Sequence, residues 1–337
     1  MRTCSRAKFG CSTLLLERLD ARLLPTGMHP FMDPLTETRL WTSGSSEIYA
    51  AYDRIFDCRG HGWSNLQSMH LNLPFRGEAE FGRLQAALRL VLPILPALAA
   101  SSPIADGRPQ GARDFRIVSY KKNQALIPII TGRVVPEQYF TERDYERVVK
   151  EPIARAVAPH DPDGVLRGPW LDSRGLLPRF DRGSIEIRLL DTQECPRADL
   201  AVIALVVAVT RALVEERWST LAEQQAWDVD SLARLLDACV VSAEETVIED
   251  ERFWGVFGLA KPDAPRAGVL WNTLYESVHS AELKPFTREI EAILSNGTLA
   301  SRIVRATGHN PDRHSIEHVY RRLADCLDHG RMFIDAV

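Results

Sequence analysis

The sequence predicts an α+β chain, and three observations carry that prediction: an alternating apolar segment over residues 66–75, a second over residues 183–191, and a helical pattern in everything after Asp199. In the first segment Leu66, Met69, Leu71 and Leu73 recur closely enough to read as a strand that ends in proline. In the second, "GSIEIRLLD", Ile185, Ile187 and Leu189 alternate against Glu186, Arg188 and Leu190, the period-two signature of a half-buried strand.

The helices follow from period and punctuation. Leu14, Leu15, Leu19, Leu23 and Leu24 repeat at helical spacing and predict a helix over residues 14–24 that stops before Pro25. Residues 45–58 read as helical, and residues 78–101 as a long helix interrupted at Pro93 and Pro96. Residues 101–137, rich in Gly, Pro, Arg and Ser without a sustained period, read as an ordered loop region. The apolar run Leu200 to Val209 falls short of the roughly 20 residues a membrane span needs, so it reads as a buried helix with Asp199 as its N-cap. Asn296-Gly297-Thr298 reads as a turn between two helices.

Composition bounds the function. The chain has 337 residues, 45% hydrophobic and 26% charged, enough for one large domain or two ordinary ones. With 41 basic against 45 acidic side chains, the net charge of −4 supplies no field for nucleic acid or anionic lipid. An anionic ligand therefore calls for a local cluster of arginines. The basic N-terminus resembles a signal peptide at first, but its apolar run stops at Leu16 before Glu17 and Arg18, so a cytoplasmic protein is expected. Six cysteines lie scattered with no C-x-x-C pair, which predicts reduced, mostly buried thiols and neither a zinc knuckle nor a dithiol redox motif. Cys195 has no base in view and reads as packing.

Three groups are able to carry chemistry. Alternation places Glu186 and Arg188 on one strand face, where a carboxylate suits a hard cation and a guanidinium clamps phosphate oxygens; taken alone, a cross-strand ion pair on an exposed face is the simpler reading. His70 and Asn72 share a face of the other strand at positions expected to face inward, and both are able to bind a metal or hydrogen-bond an anion; a histidine satisfied by a backbone carbonyl is the alternative. "SSPIADGRPQGARDFR" offers glycines with Arg113 and Arg116 in an irregular segment suited to an anion, without being a Walker A sequence. His29 in "GMHPFMDP" sits at the polar tip of a tight turn, either a ligand contact or a rigid connector.

Taken together, "LLPTGMHPFMDP", "YDRIFDCRGHGWSNLQSMHLNLPF", "LPILPALAASSPIADG" and "RFDRGSIEIRLLDTQECPRADLA" resemble the carboxylate–amine ligase branch of the glutamate–cysteine ligase family, its second sequence group. The resemblance runs over roughly residues 12–335, including "GTLASRIVRATG" and "VYRRLADCL". It implies a glutamine-synthetase-like fold, a curved antiparallel sheet forming a funnel backed by helices, in one domain over residues 1–337 with 199–337 as its mainly helical part. It further implies ATP and magnesium as cofactors, phosphorylation of a glutamate-like acid, and displacement of the phosphate by an amine such as cysteine to form an amide. Glu186 and His70 become the metal ligands, Glu186 and Arg188 the catalytic pair, and Arg113, Arg116, Arg182, Asn72 and His29 the substrate or nucleotide contacts. Small molecules are the expected partners, with neither nucleic acid nor membrane, and a homodimer is the expected assembly. A metal-dependent hydrolase built on His29, His61 and His70 is disfavoured by ligand spacing.

Two departures qualify the resemblance. Members of the family normally begin with a G-x-E-x-E strand and a second acidic segment that supply most magnesium ligands, whereas the first recognisable element here, residues 14–24, corresponds to a point well inside a typical member. A truncated or misassigned start, a degenerate relative that binds without catalysing, and a strand supplied by another chain all remain open. The second departure is "WLDSRGLLPRF", with Asp172 and Pro178, where an Asn-Ala-Arg-Gly-Ala-like segment is expected.

Overall fold

The computed structural model describes residues 16, 18–166, 171–278 and 281–334. Three strands, β1 (Ser68–Pro74), β2 (Leu176–Arg179) and β3 (Ser184–Asp191), form an antiparallel sheet in the order β1-β3-β2. Helices make up most of the rest, so the α+β class stands, with a sheet of three strands among the described residues. β2 and β3 form a hairpin whose tip is turned by Gly183 at φ 61°, a conformation glycine adopts without a Cβ clash. Pro74 and Pro178 both sit on outer strands, where a missing N–H removes no inter-strand bond from the centre of the sheet.

The helices bear out most of the periodic reading. α1 (Ser46–Phe56) is followed after β1 by α2 (Gly77–Val91). The chain then tightens into a 3-10 turn at Leu92–Ile94 and restarts as Pro96–Ala99, with a proline at the head of each piece. The region expected as loop contains a two-residue ribbon, Ile104–Ala105 with Arg108–Pro109, and a short helix, α3 (Phe115–Tyr120), whose first turn is capped by Asp114 accepting from the Ile117 N–H at 3.0 Å. Residues Glu142–Val157 are helical, with a π turn at Glu146–Lys150 immediately before Pro152, which lacks an N–H to continue the ladder. Next come α4 (Pro196–Val214), α5 (Val229–Ser242), α6 (Ala267–Ser277), α7 (Thr287–Asn296), α8 (Leu299–Thr307) and α9 (Arg313–His329). Asn296-Gly297-Thr298 is the expected turn, and Thr298 caps α8 by accepting from the Ser301 N–H.

One large apolar core runs from Ala51 to Ile293, and a smaller one joins Ile104, α8, α9 and Phe333. α4 packs on α2 and α7, and the Pro96–Ala99 turn packs on β3. α5 ends at Ala243 with φ 48° and ψ −125°, a conformation costing a non-glycine residue about 1–3 kcal/mol and held because Ala243 clusters with Ala100 and Ala300. Cys58, Cys195, Cys239 and Cys326 are buried free thiols, and burial pushes Cys195 up to about 12; Cys4 and Cys11 lie outside the described residues. No helix among the described residues is long and apolar enough to cross a membrane.

Three expectations need correction. Of the helix expected over residues 14–24, residues 14, 15 and 17 lie outside the described residues, while 18–24 form a turn and extended chain. Leu19 is 75% exposed, and Leu24 packs against the smaller core from non-helical chain. β3 is buried along nearly its whole length instead of on one face, because α3 and the segment around Asp172 lie over its polar side. Asp199 is not the N-cap of α4: Cys195 holds that position and Pro196 starts the helix. Asp199 instead turns back to accept the Gln193 N–H at 2.7 Å.

Burial, with Glu194 nearby, pushes the Asp199 carboxyl up to about 7. Its folded pKa therefore lies above its unfolded value of 3.8, so the folded chain holds the proton longer and stability falls as pH rises from about 4 to about 7. Asp199→Asn keeps an acceptor for Gln193 and removes the buried charge. Denaturant titrations are expected to show the variant gaining on the native chain across that pH range, by up to about 4 kcal/mol; a pH-independent difference rules the titration out.

Candidate functional site

The site is built on a break in the strand ladder. β1 and β3 pair Asn72 with Glu186 and Leu71 with Ile187, but the next match is Met69 with Leu190. Arg188 and Leu189 therefore face His70 together, a β-bulge of two residues against one. The bulge turns His70 toward its diagonal neighbour, and His70 Nδ1 lies 3.3 Å from Glu186 Oε1. The same oxygen accepts from Arg188 Nε at 2.8 Å, and Arg188 Nη1 donates to the Asp172 carbonyl at 2.9 Å. Held at both ends, the guanidinium keeps 20% of its side chain accessible.

Electrostatics sort the charges on this face. Burial pushes the Glu186 carboxyl upward, but the Arg188 hydrogen bond and charge, with His70 and Arg179 behind them, outweigh burial and hold it below its usual range. Partial burial lowers the His70 imidazole, and Arg188 and Arg116 oppose its protonation, so the ring is neutral at pH 7. Arg179 lies on the same face, since it pairs with Ser184 two positions before Glu186, and Asp181 holds it through Nε and Nη2 at 3.0 and 2.9 Å. Arg179 had no sequence signal of its own; pairing "LLPRF" with "SIEIR" as a hairpin is what reveals it.

Beneath the face lies a buried ionic cluster. Arg116 is 2% exposed; its Nε pairs with Asp191 Oδ1, and its Nη1 donates to the Arg188 carbonyl at the bulge, 3.3 Å away. Asp191 Oδ2 accepts from the Ser101 N–H and the Ser102 hydroxyl, each at 2.8 Å. Gly27 packs so closely on this carboxylate that a Cβ there would lie 2.6 Å from it. Burial, with Asp191 alongside, pushes the Asp114 carboxyl well above its usual range, against the opposing pull of Arg116.

The structure gathers some of the expected residues and disperses others. Glu186, Arg188 and His70 meet. Asn72 shares their face at the exposed edge, its Oδ1 3.4 Å from Ser184 Oγ. His70 and Asn72, expected to face inward, are both exposed because β1 is an outer strand. Arg116, expected at the ligand, is inside the protein with Asp191. Arg182 sits at the hairpin tip, 64% exposed beside Asp181 at 3.6 Å. Arg113 is anchored through its backbone to Val241 at the end of α5. His29 belongs to another network: its N–H donates to Asn65 Oδ1, its carbonyl accepts from Asn65 Nδ2, and Asn65 reaches His61, which pairs with Asp106. That makes His29 part of a pinned turn.

Among the described residues no group of three or more His, Cys, Asp or Glu side chains is placed to hold a metal ion. On the strand face a cation finds one carboxylate, already shared by Arg188 and His70, whereas magnesium takes six oxygen ligands. These residues do not make a magnesium site by themselves. Two arginines around one carboxylate and a neutral imidazole suit an anion better.

Comparison with known proteins bears on this geometry. The profile of Glutamate-cysteine ligase family 2 matches residues 14–322. An uncharacterised protein of Archaeoglobus fulgidus is 37% identical over 206 residues, 60% of this chain and 54% of its own length. A provisionally named glutamate–cysteine ligase 2 of Ectopseudomonas mendocina is 27% identical over 227 residues, 66% of this chain and 52% of its own. The chain thus spans about half the length of these curated relatives. The crystal structure of the glutamate–cysteine ligase of Francisella tularensis, in complex with AMP, superposes with a TM-score of 0.51 over 91% of this chain and 73% of that one. At 13% identity that likeness speaks for the fold alone.

The buried cluster makes an asymmetric expectation. Arg116→Gln leaves Asp191 without its cation and is expected to lower stability by about 3–5 kcal/mol in urea titrations. Asp191→Asn is expected to cost less, because losing the Asp191 charge lowers the Asp114 carboxyl beside Arg116 and leaves that guanidinium a second acid. Equal losses in the two variants contradict this account of the cluster.

Proposed function

The chain belongs to glutamate-cysteine ligase family 2, and from that premise we propose that it is an ATP-dependent carboxylate–amine ligase whose strand face receives the transferring phosphoryl group. The observation that carries the proposal is Arg188, fixed by Glu186 and the Asp172 carbonyl with part of its guanidinium open to solvent. Phosphoryl transfer asks a protein for positioning and charge neutralisation more than for a nucleophile. A carboxylate oxygen of a glutamate-like acid attacks the terminal phosphorus of ATP and ADP departs. An amine such as cysteine then adds to the acyl carbon, phosphate leaves, and the nitrogen gives up a proton.

Each residue has a part in this scheme. Arg188 clamps the phosphate or acyl oxygens, and Arg179 adds positive charge on the same face. With Nδ1 donating to Glu186, the neutral His70 presents Nε2 as an acceptor on its open side, suited to the amine proton. Magnesium, which this chemistry ordinarily uses to neutralise phosphate charge, has one candidate carboxylate here, and no step is routed through it. A second reading has support from that single carboxylate: a relative that binds the nucleotide without turning it over.

Calorimetric titration with ATP, with and without magnesium, tests the face. Arg188→Lys loses the bidentate fork and is expected to weaken binding about tenfold or more in both conditions. Glu186→Gln is expected to weaken it as well, by releasing Arg188 and by removing the carboxylate from any magnesium-dependent part. Equal affinity in all three chains removes this face from the nucleotide site. ADP release with a glutamate and amine panel separates the two readings, since binding without release identifies the non-catalytic one.

A further inference from the structure

A cavity of about 500 Å³ lies in the helical part of the chain, and none of its lining residues belongs to the strand face. Its walls come from the turn after α5, the start of α6, the end of α7, the Thr298 cap of α8 and Arg305 in that helix's last turn. Charge lines it in balance. Glu244 and Glu245 follow each other on one side; Arg266 and Arg305 stand on the others. Arg266 pairs with Glu245 and is half exposed at the mouth. Arg305 donates to the carbonyl of Asn296. Ala97, Ile293 and Leu294 give an apolar floor.

Several features serve to place Glu244. Its Oε2 accepts from the Thr298 hydroxyl at 2.9 Å. Gly297, at φ 81°, and Gly268 both pack so closely on the Glu244 side chain that a Cβ at either would collide with it or crowd it. The strained backbone of Ala243 precedes it directly and turns the chain out of α5. Strained backbone of this kind persists where the surroundings over-determine it.

We propose that this cavity binds a small zwitterion, a free amino acid or a short peptide. Its ammonium would lie on Glu244 and Glu245, its carboxylate on Arg266 and Arg305, and its side chain over the apolar floor. Glu245 and Arg266 already pair with each other, so a ligand that comes between them must offer each a new counter-charge, which a zwitterion does and a singly charged ligand does not. The site is independent of the ligase proposal, since it uses none of the same residues. A short route joins the two regions: the Ala300 N–H donates to the Ala100 carbonyl, and the next two residues, Ser101 and Ser102, hold Asp191.

Thermal-shift and calorimetric titrations of the full chain with the free L-amino acids and glycylglycine test the proposal. At least one of them is expected to raise the melting temperature, while its amine lacking the carboxylate and its N-acetyl derivative do not. Glu244→Gln and Arg266→Gln are each expected to weaken that binding about tenfold, with Arg188→Lys leaving it unchanged. Arg266, at the mouth, keeps the test decisive if Glu244→Gln unfolds. No binding by any probe, equal binding of the singly charged derivatives, or binding lost in Arg188→Lys and kept in both cavity variants overturns the proposal.

Discussion

The pairing of Asp191 with Arg116 organises this structure more than any other contact. Both side chains are almost wholly buried, and each is tied to a different part of the chain: Asp191 to Ser101, Ser102 and the close-packed Gly27, Arg116 to the bulge at Arg188. An unpaired charge at this depth is expensive, so every group that satisfies the pair is fixed with it. The accessible arginine above inherits its position from the inaccessible one below. Rigidity at the charged face thus originates in the interior, where solvent does not compete for the same hydrogen bonds.

Much of the fold was legible because period and burial agreed. The alternation of Ile185, Ile187 and Leu189 marked β3, and the prolines at 93 and 96 marked where a long helix gives way to two short pieces. β2 stayed hidden because four residues that include a proline carry no period. The site was legible in part. Glu186, Arg188 and His70 were separable from the background by alternation, but Arg179 depended on hairpin register and Arg116 on which side of a six-residue helix faces inward. Sequence spacing says that two side chains share a face; it does not say what lies over that face. Leu19 and Leu24 show the same limit from the other side: they keep helical spacing, yet one is exposed and the other reaches the smaller core without a helix.

The charge pattern of the strand face narrows the chemistry further than residue type alone. A carboxylate two positions from an arginine suits a metal ion or a phosphate equally on paper. In space, Glu186 is occupied in holding Arg188, and its lowered pKa reflects that occupation. The carboxylate then acts as an anchor for a cation, and the cation is the part left facing solvent. Belonging to a ligase family and presenting a fixed guanidinium agree with the reaction proposed above, in which the transferred group is an anion.

The bulge between β1 and β3 also bears on how such a sequence is able to drift. Before the bulge, even-numbered residues of β3 occupy the charged face; after it, the alternation is displaced by one position, and Asp191 reaches Arg116 from the displaced phase. Deleting Arg188 or Leu189 would leave a single residue opposite His70 and an unbroken ladder, with Asp191 still opposite Ser68 on the same side of the sheet. The bulge is thus a place where the strand is able to lose a residue without reversing the face of those that follow, although its side chains are buried along nearly the whole length. What such a deletion removes is the local bend beside which His70 meets its diagonal neighbour Glu186.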